Sequence, residues 1–121
     1  MKRNLDLIRS LLIHAEAADR PFVRLSGEEF AEFTEDELRE HAHLLEDAGL
    51  AEYSFTMKGP PDIKRLTWAG HDFLDALRSK NVWEETKKIA EGAGGWSFDM
   101  LKKIAEAYLK QQIKNRTGLD I

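Results

Sequence analysis

The residues here with chemistry to offer are four histidines, 22 carboxylate side chains and a glycine-rich stretch; cysteine is absent. Without thiols there is no disulfide, no thiolate metal site and no cysteine nucleophile. His41 and His43, joined by His14 or His71, have the residue types of a metal centre. Two residues apart on a helix, however, side chains point in different directions, whereas helical ligand pairs are spaced by about four. Gly92-Ala93-Gly94-Gly95 stands before a helix, as a phosphate cradle would. It lacks the following Lys-Ser/Thr and does not follow a strand, so it reads as a hinge between helices. No Ser/His/Asp grouping stands out, and nothing marks a pocket that would shift a carboxylate. The expectation is a non-catalytic protein with no metal and no cofactor.

Charge is the more informative property. The net charge is −4, but residues 21–53 alone carry ten carboxylates against Arg24 and Arg39. The remaining segments are close to neutral or slightly basic. Phosphate attraction supplies most of the non-specific affinity for nucleic acid, so an acidic block this dense works against DNA binding wherever it lies. The start, Met1-Lys2-Arg3, is basic, yet Asp6 and Arg9 interrupt the apolar run that follows. That segment reads as an amphipathic helix and not a leader. No stretch approaches the ~18 apolar residues that a membrane span requires, and the expected location is the cytoplasm.

The elements that must position these groups follow from periodicity. Leu5, Ile8, Leu12 and Ala15 repeat at helical spacing, which predicts a helix over 4–18 with Asn4 as its N-cap. Pro21 ends it, and Phe22–Leu25 alternates like a short strand. Ser26 to Glu29 fits a capping box for a short helix that buries Phe30 and Phe33. Thr34 to Glu37 is a second capping box, opening a helix to about Ala48 that Gly49 stops in left-handed geometry. Residues 50–56 and 63–67 read as strands around a Gly-Pro-Pro turn. Helices follow over 68–78, from Asn81 to about Glu91, and over 97–114.

This order predicts an α+β, mostly helical fold: a winged helix-turn-helix over 1–78 and a two-helix extension over 79–121, packed into one domain. Three stretches also carry a resemblance: the opening Met1–Arg9, His41–Leu50 (HAHLLEDAGL), and Arg65–Leu74 (RLTWAGHDFL). Together they resemble a bacterial and prophage family of small proteins of unknown function, whose members open Met-Lys-Arg-Asp; Asn4 stands at the aspartate position. Leu66-Thr67 followed by Gly70 is similar to the strand-to-helix junction of winged-helix regulators. The resemblance implies a fold shared with DNA-binding proteins and brings no catalytic residues.

Three surfaces are candidates for binding. Asp36, Arg39, Glu40, His43 and Asp47 lie on the outward side of the helix over 34–48, as a protein-binding face. Lys58, Lys64 and Arg65, on the turn and second strand, are the candidate nucleic-acid contacts in a DNA-binding alternative. They serve equally well as strand-edge protection. Trp83, Phe98, Leu101 and Tyr108, on the last two helices, are candidate homodimer contacts. The favoured expectation is a protein partner or a second copy of the chain.

Overall fold

An asparagine at position 4 and a stripe of leucine and isoleucine behind it give the first element. In the computed structural model, which describes residues 2–25, 27–56, 58–92 and 97–118, α1 spans Leu5–Ala17. Asn4 Oδ1 accepts the Leu7 amide as an N-cap, and Leu7, Ile8, Leu11, Leu12 and Ala15 are buried. The chain then reverses through Pro21 and Phe22 into a two-residue strand, β1 (Val23–Arg24). Phe22 departs from the expected alternation: its φ is 62°, a left-handed conformation that a β-carbon resists. The expected short helix is a single 3₁₀ turn over Glu28–Phe30 that buries Phe30. Its capping residue, Ser26, lies outside the described residues.

α2 (Glu35–Asp47) opens with the complete capping box: Thr34 Oγ1 accepts the Glu37 amide while Glu37 accepts that of Thr34. It closes on Gly49 at φ 73°, where the Gly49 amide donates to Glu46 O and the Leu50 amide to Leu45 O. These two bonds satisfy carbonyls that the helix end leaves open. The core positions are Leu38, His41, Ala42 and Leu45. A histidine among them is a departure from the apolar stripe, resolved by hydrogen bonding: Asn4 N–H donates to His41 Nε2 at 2.9 Å, and Nδ1 lies 2.8 Å from Glu37 O. Since Nε2 accepts, the proton sits on Nδ1 and is donated to the carbonyl.

β2 (Ala51–Ser54) and β3 (Asp62–Leu66) form an antiparallel hairpin, and β1 pairs with the other edge of β3, giving the order β1-β3-β2. The register is interrupted. Glu52 pairs with Arg65 and Tyr53 with Ile63, so Lys64 is an extra residue on β3. A bulge of this kind breaks the in–out alternation, and Lys64 and Arg65 are both exposed between buried Ile63 and Leu66.

α3 (Trp68–Leu77) starts at once. Thr67 Oγ1 accepts the Gly70 amide and donates to Gly49 O at 2.6 Å, while the Thr67 amide donates to Leu50 O. α4 (Lys80–Gly92) begins at Ser79, whose carbonyl accepts the Trp83 amide, so the expected Asn81 start is two residues late. α5 (Phe98–Thr117) is capped by Ser97 and runs beyond the expected Lys114 to a left-handed Gly118. The expected hinge residues Ala93, Gly94 and Gly95 lie outside the described residues.

The structure is thus α+β and mostly helical, as the patterning predicts. It resolves into two units, Met1–Leu74 and Asp75–Ile121, dividing inside α3. In the first, α1 packs on β3 and α2, and α2 on β2. In the second, α4 and α5 pack against each other. No helix among the described residues is long and apolar enough to cross a membrane.

Two glycines separate two reasons for glycine. A β-carbon on Gly49 would meet nothing within 4 Å, so Gly49→Ala should cost only the left-handed backbone strain, about 1 kcal/mol, and Gly49→Val more. The same change at Gly59, in a loop that can relax, should cost less. A β-carbon on Gly70 would stand 1.9 Å from the Leu50 carbonyl oxygen, which is backbone and cannot step aside. Gly70→Ala should therefore cost at least about 3 kcal/mol, the upper end of overpacking. Urea denaturation of the variants gives this order directly.

Candidate functional site

The outward side of α2 is divided by what its residues touch. Arg39 Nη1 donates to Thr56 O at 2.6 Å and to Gly59 O at 3.4 Å, and its guanidinium lies 5.6 Å from the Phe55 ring centroid. His43 stacks on the same ring, 3.8 Å away and nearly parallel at 6°. Glu46 accepts the Tyr53 amide at 2.9 Å. These three hold β2 and the hairpin loop against α2. Of the five expected contact residues, Arg39 and His43 are therefore occupied within the fold. Asp36, Glu40, His43 and Asp47 are exposed, with Glu35 beside them, and apart from the His43 ring stacked on Phe55 this surface is acidic.

The basic candidates sit in different settings. Lys58 is exposed in the hairpin loop. Arg65 Nε pairs with Glu52 at 2.6 Å, directly across the strands. Lys64 places Nζ 5.8 Å from the Phe22 ring centroid. Exposed pairs of this kind contribute well under about 1 kcal/mol and are readily exchanged for another anion.

Two of the dimer candidates are corrected by burial. Trp83 is 2% exposed and Leu101 is fully buried, so both are interior residues and offer no surface to a second copy. The wide stripe that suggested an interface is used first to pack the helices together. Phe98 and Tyr108 remain partly exposed. Tyr108, with Leu109 and Ile113, lines an open groove of about 290 Å³ whose rim carries Ser79, Asn81 and Arg116.

The histidines have separate surroundings. His14 Nδ1 lies 3.1 Å from Glu29 and its ring meets Phe30 edge-on, while His71 is 4.0 Å from Glu16. Among the described residues, no three His, Asp or Glu side chains gather as a metal would need.

Sequence patterning missed two large exposed aromatics. Trp68 is 82% exposed and Phe22 59% exposed. Trp68 had a legible signal, since it lies outside the Ala69-Phe73-Leu74-Leu77 stripe of its own helix. Phe22 had none, because only the fold forces its backbone out of the strand.

Residues 2–96 match the family described as hypothetical protein (DUF2513), and the chain belongs to that family. It is also 33% identical over 117 residues to an uncharacterized protein of Haemophilus influenzae strain Rd, covering 93% of this chain and 99% of the relative. No solved structure matches the chain. The small bacterial family of unknown function expected from the three motifs is the one found.

One buried group gives a measurable consequence. Tyr53 is 3% exposed, and among the described residues its hydroxyl has no hydrogen-bond partner. Burial, and secondarily the Glu46 carboxylate, push its phenol well above the ordinary value of 10.0. The folded state then holds the proton where the unfolded state releases it, so this contribution is intact below pH 10 and lost as pH rises beyond it. Tyr53→Phe should flatten that alkaline loss. At neutral pH it should leave stability unchanged or raise it by up to about 1 kcal/mol, because it removes an unsatisfied polar atom. Denaturation against pH for both proteins checks the two effects.

Proposed function

We propose that the chain is a non-catalytic winged-helix interaction module of the cytoplasm, prophage-associated, that binds a basic protein partner through α2. The supporting observation is that Arg39 turns in onto Phe55 and the hairpin loop while the exposed His43 stacks on the same ring, so Glu35, Asp36, Glu40 and Asp47 dominate the outward surface. In a winged helix this element would enter the major groove. Four carboxylates there would repel the phosphates whose attraction supplies most of the affinity for DNA. Opposite charge across a protein interface does the reverse, speeding encounter and fixing register. Self-association through α4 and α5 belongs to the same proposal, now resting on Phe98 and Tyr108 without Trp83 and Leu101.

A DNA-binding regulator that makes contact through the hairpin is the second reading. The bulge favours it, because it turns Lys64 and Arg65 outward together.

Electrophoretic mobility shift with random duplex DNA at physiological salt distinguishes the two. The expected result is no shift. A shift that weakens steeply with salt, and that vanishes on combining Lys58→Ala, Lys64→Ala and Arg65→Ala, would establish the regulator. For the protein partner, capture from the native host should yield a basic protein. Its purified form should bind at least tenfold more weakly to the Asp36→Lys/Glu40→Lys/Asp47→Lys variant. Unchanged affinity would remove α2 as the binding face.

A further inference from the structure

We infer that the first unit carries a second binding site, for single-stranded nucleic acid, on the cleft between the C-terminal end of α1 and β3. The cleft has a volume of about 280 Å³, floored by Ala15 and Leu66. Its walls carry Arg20, Lys64, Arg65 and His71, against Glu16 and Asp19. Glu16 faces His71 at 4.0 Å and Arg65 reaches Glu52 at 2.6 Å, so the rim mixes both signs of charge, with Arg20, Lys64 and Arg65 as its cations.

Two exposed aromatics flank it. Pro21 and Lys64 both line the cleft, and Phe22 follows the first and lies beneath the second. Trp68 precedes the cleft residue His71 by one helical turn, which places the two on the same face of α3. Cations in a groove between exposed rings are the elements of single-strand recognition: phosphates track the cations while unpaired bases stack on the rings. On a single strand, stacking on the rings adds to the phosphate attraction. An overall acidic chain is thus less handicapped here than on a duplex, whose bases are already stacked on one another.

Two local features point the same way. The β3 bulge exposes Lys64 and Arg65 in succession, although regular alternation would hide one of them. Phe22 is held at φ 62° with its ring in solvent, where glycine would be easier. Backbone strain of this sort collects where a side chain is being aimed.

The test is fluorescence anisotropy of labelled oligo-dT with the full chain at low salt, beside a duplex of equal length. Oligo-dT should bind and the duplex should bind more weakly. Trp68→Ala and Phe22→Ala should each weaken oligo-dT binding roughly five- to a hundredfold, the span of one lost stacking contact. Lys64→Gln with Arg65→Gln should weaken it and reduce its salt dependence. Phe22→Gly carries a separate signature: a raised Tm, from relief of the left-handed backbone, together with weakened binding. The inference is overturned if oligo-dT does not bind, if the duplex binds as well, or if binding survives both aromatic substitutions. It is equally overturned if poly-L-glutamate displaces oligo-dT and itself requires Trp68, which would make the cleft a site for acidic protein.

Discussion

The carbonyl oxygen of Leu50 occupies the space that a β-carbon on residue 70 would need, and much of the first unit is organised around that contact. Leu50 leaves the Gly49 turn and leads into β2; Gly70 belongs to the first turn of α3. Thr67 bridges them, donating from its amide to Leu50 O and from its hydroxyl to Gly49 O while accepting the Gly70 amide. One threonine and two glycines thus fasten the end of α2, the start of β2, the end of β3 and the start of α3. Each hydrogen bond contributes only about 1 kcal/mol net. Their combined effect is geometric, because the backbones can approach this closely only where residue 70 has no side chain.

A second tie does the same for the other end of the unit. Asn4 uses two groups at once: its side chain caps α1, and its backbone amide is held by His41 in the middle of α2. An aspartate at position 4, as in the family's opening motif, could perform both tasks, since the cap needs a side-chain oxygen and the tie needs only the backbone. The three stretches that carry the family resemblance therefore meet in space as two junctions, Asn4 with His41 and Gly49-Leu50 with Thr67-Gly70. Their residues are committed to folding.

What remains free of the fold is polarised. The hairpin is clasped to α2 by Arg39 and His43 around Phe55, which neutralises nothing on the outside of the helix and leaves it acidic. The cations and exposed rings collect by β1 and β3.

The capping box of α2, the glycine stop after it, the order of elements and the α+β, mostly helical class are local properties, written in spacings of three and four residues. The sequence by itself determined these, because each rests on neighbours along the chain. It also determined the acidity of α2, which is simply composition on one element. Tertiary structure decided the rest. His41 is a core residue because the Asn4 amide reaches it, and Arg39 is drawn off the outer face because Phe55 and the hairpin loop arrive beneath it. Trp83 and Leu101 are interior because the α4–α5 packing uses the stripe first. Lys64 is turned out by a pairing register that no single strand contains, and Phe22 by a backbone reversal imposed from both sides. Each of these depends on a partner distant in sequence, and a one-dimensional pattern carries no record of which distant residue will be there.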